Sequence, residues 1–162
     1  MTDHALPEAS SRVSRVIKAP REAVYRACLD PDALVAWRAP DNMIGRMFAF
    51  DARVGGRYRM SLTYRNADHR LAGKTSEDTD AFEGRFLDLV PNEKIVEVVS
   101  FESVNPRFSG EMTITTTLAD ADGGARITIL FEGIPAGVSP GDNREGTEQS
   151  LRKLAALLEA QA

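Results

Sequence analysis

The sequence predicts an α+β fold: a curved, seven-stranded antiparallel sheet with two short helices after the first strand and a long C-terminal helix packed across the concave face. Three observations predict it. An alternating N-terminal segment runs straight into a proline and helical spacing. From Met43 to Phe131 six segments alternate between apolar and polar residues and are separated by turn residues, the pattern of an antiparallel meander. Beyond two further prolines, Leu151, Leu154, Ala155 and Leu158 form one apolar stripe at helical spacing.

The 162 residues suit one core, so residues 1–11 are expected to form a flexible arm and residues 12–162 a single domain. The first strand is expected over Arg12 to Lys18, with Val13, Val16 and Ile17 as its apolar positions. Ala19-Pro20 ends it and opens a helix from Arg21 to Leu29. Asp30-Pro31 opens a second through Leu34 and Trp37, which Pro40 and Asn42 close. Strands follow at Ile44 to Phe50, Gly56 to Tyr64, Phe82 to Val90, Ile95 to Phe101, Met112 to Leu118 and Ala125 to Phe131. Gly55-Gly56, Pro91-Asn92, Asn105-Pro106 and Asp122-Gly123-Gly124 supply turns between them. The polar stretch from Asn66 to Ala81 has no periodicity and is too long for a simple hairpin, so it is expected to be a flap or disordered loop. Ser139-Pro140 offers a cap and first-turn proline for a final helix over about Asp142 to Ala160.

Strand parity assigns Tyr58, Met60 and Leu62, Met112, Ile114 and Leu118, and Ile127, Ile129 and Phe131 to the face beneath the helix. On the segments 82–90 and 95–101 both faces carry apolar residues, so a bulge is expected and the inward face is left open. A helix about 10 to 12 Å across cannot cover the whole concave face of so broad a sheet, and a cavity between the two is the geometric consequence. The upstream end of the helix stripe supports this. Arg144 and Thr147 continue the line of Leu151, and neither fills an apolar core. Gly146 beside them signals either close approach to a neighbour or a frayed first turn, the fray being preferred on helix propensity.

Composition narrows the function. A formal net charge of −4 with scattered basic residues argues against nucleic acid. No apolar run is long enough for membrane insertion, and the single cysteine, Cys28, forms no intramolecular disulfide; a cytoplasmic address is expected. Cys28 lies among Val24, Ala27 and Leu29 and reads as a buried structural thiol. His4 falls in the arm and His69 in the polar loop, and no metal, cofactor or nucleophile constellation has recognisable spacing. Five charged residues do lie within the expected strands: Arg57, Arg59, Glu83, Arg85 and Glu97. Cross-strand pairing on the outer surface is the expectation for them. An inward carboxylate would instead be a candidate acid or base, with Glu83 and Glu97 the first to consider.

Several segments together resemble a known family. They are Ile17-Lys18-Ala19-Pro20-Arg21-Glu22-Ala23-Val24-Tyr25, Asp30-Pro31 with Trp37, Gly55-Gly56-Arg57-Tyr58, and Glu83-Gly84 with Val90-Pro91-Asn92-Glu93-Lys94-Ile95-Val96. Gly123 to Thr128 and Gly146-Thr147-Glu148-Gln149-Ser150-Leu151 complete the pattern. They resemble the helix-grip superfamily of lipid-transfer, polyketide-cyclase and pollen-allergen-like domains (SRPBCC), in the branch named after the C-terminal domain of the heat-shock-protein ATPase activator. Many members carry tryptophan where this chain has Thr147, and histidine near the end of the last strand where it has Phe131-Glu132; the first change widens the space beneath the helix and the second removes a polar group from its floor.

The expected function is binding of a small hydrophobic or amphipathic ligand between the C-terminal helix and the sheet, without catalysis or cofactor. Trp37, Tyr58, Met60, Met112, Ile114, Arg144, Thr147 and Leu151 are the candidate ligand-binding residues, with Trp37, Arg144 and Thr147 near the entrance. Ordinary core packing is the competing reading for each apolar member. Two alternatives stand beside it: a cyclase- or hydratase-like enzyme, and, as the resemblance implies, an interaction module that stimulates a chaperone ATPase. A homodimer is compatible with the superfamily, and no residue specifies one.

Overall fold

The computed structural model describes residues 9–65 and 79–160. Its elements, in order, are β1 (Ser10–Ile17), α1 (Arg21–Cys28), α2 (Pro31–Trp37), β2 (Met43–Phe50), β3 (Arg57–Tyr64), β4 (Thr79–Val90), β5 (Lys94–Phe101), a 3-10 turn at Pro106–Phe108, β6 (Met112–Ala121), β7 (Gly124–Glu132) and α3 (Pro140–Glu159). All seven strands form one antiparallel sheet in the order β1-β7-β6-β5-β4-β3-β2. The chain runs back along the sheet from β2 to β7, and β1 then adds at the far edge beside β7.

Several boundaries shift from the expected ones by one to three residues, β6 for example running on to Ala121, and two shifts bring new residues into the sheet at the start of a strand. β1 begins at Ser10, because Ser10 and Ser11 pair with Glu132 and Phe131 of β7; Ser11 also donates its hydroxyl to Asn143 Oδ1 at 2.6 Å, tying the strand to α3. β4 begins at Thr79, so Thr79, Asp80 and Ala81 pair with β3 and do not belong to the expected loop. Residues 1–8 of the arm, residues 66–78 of the loop, and both histidines lie outside the described residues.

The sheet's inner face follows alternation. Tyr58 and Met60 on β3, Met112, Ile114 and Leu118 on β6, and Ile127 and Ile129 on β7 are buried; Leu62 and Phe131 are partly so. The expected bulge is present. The register of β4 against β5 shifts between Phe86 and Asp88, leaving Leu87 exposed while Phe82 and Phe86 on one side of it are buried and Leu89 on the other packs against the core. That slip explains why apolar residues occupy both parities of this segment.

α3 closes the concave face. The Ser139 hydroxyl accepts a hydrogen bond from the Asp142 amide (3.2 Å), and Pro140 occupies the first turn. Thr147, Ser150, Leu151, Leu154, Ala155 and Leu158 are its buried side chains. The helix is continuous through Gly146, which overturns the expected fray. A Cβ on Gly146 would lie 3.4 Å from Pro40 Cγ, so the residue marks where the helix passes close to the segment following α2.

Candidate functional site

Between α3 and the sheet lies a cavity of about 620 Å³, within the range of small-molecule sites. Its lining extends from fully buried Ile95 to exposed Ser139, Asp142 and Glu145, so it opens to solvent beside the first turns of α3. The wall is largely apolar and aromatic: Phe82 from β4, Val99 and Phe101 from β5, Met112 and Ile114 from β6, and Phe131 from β7.

Charged groups interrupt this wall: Asp142 and Glu145 at the mouth, and Asp80, Arg38 and Glu97 deeper in, with Asp80 3% exposed. β5 turns Ile95, Glu97 and Val99 inward at a period of two, so Glu97 takes a place where the strand pattern calls for a hydrophobe. It is 5% exposed. The expectation of outer-surface pairing therefore fails for Glu97, whereas Arg59 meets it through Glu102 at 2.6 Å and Glu83 remains exposed. A carboxylate at this depth requires a partner, and Arg38 at the end of α2 provides it. Its Nη2 lies 3.2 and 3.3 Å from the two Glu97 oxygens, and its Nη1 donates to the Tyr58 hydroxyl at 3.5 Å. Tyr58 in turn donates to Glu97 Oε1. The three side chains form one cluster, Tyr58 and Glu97 buried and Arg38 partly so, with Arg38 and Glu97 on the cavity wall and Tyr58 behind them.

The surroundings explain how the cluster is held. Tyr58 stands opposite Gly84 in the β3–β4 ladder, and its ring passes over that glycine on its way to β5. Phe50, Phe82 and Phe86 surround the ring at centroid distances of 6.1, 6.4 and 5.5 Å. Arg38 is placed by α3: the Ser150 hydroxyl donates to the Arg38 carbonyl (2.8 Å) and Lys153 Nζ to the Ala39 carbonyl (2.7 Å). Burial opposes the charge of Arg38, but the Glu97 carboxylate and Tyr58 outweigh it and hold the guanidinium pKa above its ordinary value. Burial, reinforced by Glu97, pushes the Tyr58 hydroxyl up despite the adjacent Arg38, so the phenol stays neutral. Cys28 also lines the cavity, and burial pushes its thiol up to about 12, leaving a protonated, weakly nucleophilic group.

The sequence candidates divide into three groups. Trp37, Met112, Ile114 and Thr147 line the cavity together. The Trp37 indole N–H is spent on the Ala27 carbonyl (2.9 Å), locking α2 to α1 and leaving only ring surface for a ligand. Thr147 likewise donates its hydroxyl within α3, to the Asn143 carbonyl at 2.8 Å. Tyr58 and Met60 are buried behind the wall, at 2% and 0% exposure. Arg144 and Leu151 lie away from the cavity and line a separate groove on the other flank of α3. There Arg144 is exposed and pairs with Glu148 (3.3 Å), because the helix turns Asn143 and Thr147, not Arg144, toward the sheet. Arg38 was not singled out from the sequence. The usable signal was indirect: a glutamate at an inward strand position demands a cation nearby.

Fold and cavity define a helix-grip domain, in which a long C-terminal helix covers a curved antiparallel sheet. The chain belongs to the family described as Activator of Hsp90 ATPase homolog 1-like protein, whose profile matches residues 18–159. A crystallised protein from Chromobacterium violaceum is 40% identical to it, with a TM-score of 0.83 over 93% of this chain and 97% of that one. A solution structure from Arthrobacter aurescens (TM-score 0.79, 16% identity, 98% of this chain and 90% of that one) and a crystal structure from Rhodobacter sphaeroides (0.74, 18%, 96% of each) share the fold. No curated protein matches the chain.

Proposed function

We propose that this protein binds a small amphipathic molecule in the cavity beneath α3, without transforming it. The carrying observation is the composition of the wall: an aromatic and aliphatic surface that also carries the paired Arg38 and Glu97, with buried Asp80 and Thr116 as further polar groups. The apolar body of a ligand would lie against Phe82, Met112 and Ile114, and a hydroxyl, carbonyl or amide would hydrogen-bond to Arg38 or Glu97. Because the guanidinium is already paired, an uncharged polar group suits the site better than a second carboxylate. Native mass spectrometry of freshly purified protein, followed by denaturing extraction, tests this reading. A reproducible small-molecule adduct of one per chain supports it, and bare protein from several expression hosts counts against it.

Glu97 also favours a second reading, a cyclase- or hydratase-like enzyme. A buried carboxylate hydrogen-bonded to a neutral tyrosine on a cavity wall could move a proton once a ligand displaced Arg38. Turnover of an extracted ligand that stops in Glu97→Gln would establish that reading over simple binding. The family description supports a third, an interaction with an Hsp90-type chaperone. An ATPase assay with purified chaperone tests it, and stimulation insensitive to cavity-filling substitutions would move the function to the outer surface.

A further inference from the structure

The groove on the opposite flank of α3 is chemically unlike the cavity. It encloses about 330 Å³ between the edge strand β1 and the helix, and is lined by Arg12, Val13, Ser14, Arg15, Arg144, Glu148, Leu151 and Arg152. Four arginines against one glutamate give a local surplus of +3 in a chain whose net charge is −4. Such concentration of one sign in a concave site raises the local density of counter-ions of the other sign.

The arginines are only lightly engaged. Arg12 and Arg15 have no ion-pair partner among the described residues; Arg144 reaches Glu148 at 3.3 Å and Arg152 reaches Asp41 at 3.7 Å, all four side chains in these two pairs being more than half exposed. Pairs so open to water contribute little and are readily exchanged. Nothing in the core requires the four to gather here, since the groove floor is already closed by Val13 and Leu151, at 8% and 1% exposure.

We propose that this groove binds a soluble, linear polyphosphate-type anion. Arg12 and Arg15 leave the edge strand on opposite faces, about 10 Å apart along it, and both border the groove; Arg144 and Arg152 lie about 12 Å apart along the helix, so the four guanidinium groups are spread along the groove as an extended chain of phosphates requires. A lone phosphate would engage one end only. Guanidinium forks match phosphate oxygens bidentately. β1 is the edge strand of the sheet, so the groove lies along its rim. A groove between strand and helix suits a soluble anion better than a flat membrane surface. Glu148 limits affinity from within the site by holding Arg144.

Isothermal titration of the intact protein with inorganic tripolyphosphate at low ionic strength tests the proposal. One anion per chain is expected, with affinity falling steeply as salt is added. Arg12→Ser/Arg15→Ser should weaken binding about tenfold or more, and Glu148→Gln should strengthen it several-fold; circular dichroism melting establishes that both variants are folded. Absence of binding at millimolar tripolyphosphate overturns the proposal, as does binding indifferent to the Arg12/Arg15 pair. Association with phosphatidic acid vesicles but not with tripolyphosphate overturns it in favour of a membrane headgroup. The cavity and its occupant play no part in these readouts.

Discussion

The ring of Tyr58 occupies the space that a side chain on Gly84 would need: a Cβ built on Gly84 would fall 2.1 Å from Tyr58 Cζ and 2.5 Å from its hydroxyl oxygen. The two residues are cross-strand partners, and the missing side chain on β4 lets the phenol reach over that strand to Glu97 on β5. One glycine thereby decides whether a buried tyrosine can complete the cluster on the cavity wall.

Gly84→Ala should accordingly displace the Tyr58 ring and break its hydrogen bond to Glu97. Overpacking of this kind costs about 2 kcal/mol, read as a melting temperature lowered by about 5 °C for a domain of this size. Gly84→Ala/Tyr58→Leu, which removes the ring, should recover most of the loss. Equal melting of Gly84→Ala and wild type would show that the ring can pass elsewhere.

The Arg38–Glu97 pair should behave as a coupled unit. Glu97→Gln leaves a largely buried guanidinium without its anion, at a cost on the order of 2 kcal/mol, or about 6 °C in melting temperature. Arg38→Met should cost a similar amount by stranding the carboxylate. The double variant should lose less than the two together, and a double-mutant cycle measures the difference. Strict additivity would contradict the pairing.

Alkaline pH should separate Tyr58 from the other two tyrosines. Its folded-state pKa is raised above the ordinary value of 10.0, by burial first and by Glu97 next. The unfolded chain thus loses this proton at lower pH than the folded chain does, so Tyr58's contribution is complete below about pH 10 and declines as pH rises beyond it. Phenolate absorbance should show one tyrosine that ionises only with unfolding, and Tyr58→Phe should remove that step. Three tyrosines titrating together in folded protein would contradict the burial.

Much of this fold was legible because alternation and turn chemistry agree along the chain. The strands from Met112 and Gly124 show it most plainly, threonines separating the inward residues from Met112 to Leu118 and Arg126 and Thr128 those from Ala125 to Ile129. The site was less legible. The inward face of Glu97 was hidden by the bulge at Leu87, which puts apolar residues on both parities of β4 and removes the cross-strand guide to β5. Arg38 sits at the end of a short helix, where sequence periodicity has no power to fix direction, and its position comes from Ser150 on a helix distant in the chain. Arg144 was misplaced because its spacing from Thr147 and Leu151 fits the same stripe, while α3 is rotated so that Asn143 fills that place.

Gly146 offers a simple test of that helix. Because α3 is unbroken there and a Cβ would make ordinary contact with Pro40, Gly146→Ala should stabilise the protein by about 0.5–1 kcal/mol through helix propensity alone. Destabilisation would mean that Pro40 cannot give the small space required.

The central claim is that the cavity is open and binds amphipathic molecules, and the most direct measurement is a fluorescence titration with the neutral amphiphile N-phenylnaphthylamine, comparing wild type with Thr147→Trp. Thr147 lines the cavity from α3, and an indole there would fill its upper part. The account predicts saturable binding of one probe per chain in wild type, weakened at least tenfold in Thr147→Trp while the melting temperature holds. Equal affinity in the two proteins, or no saturable binding to wild type, would contradict it.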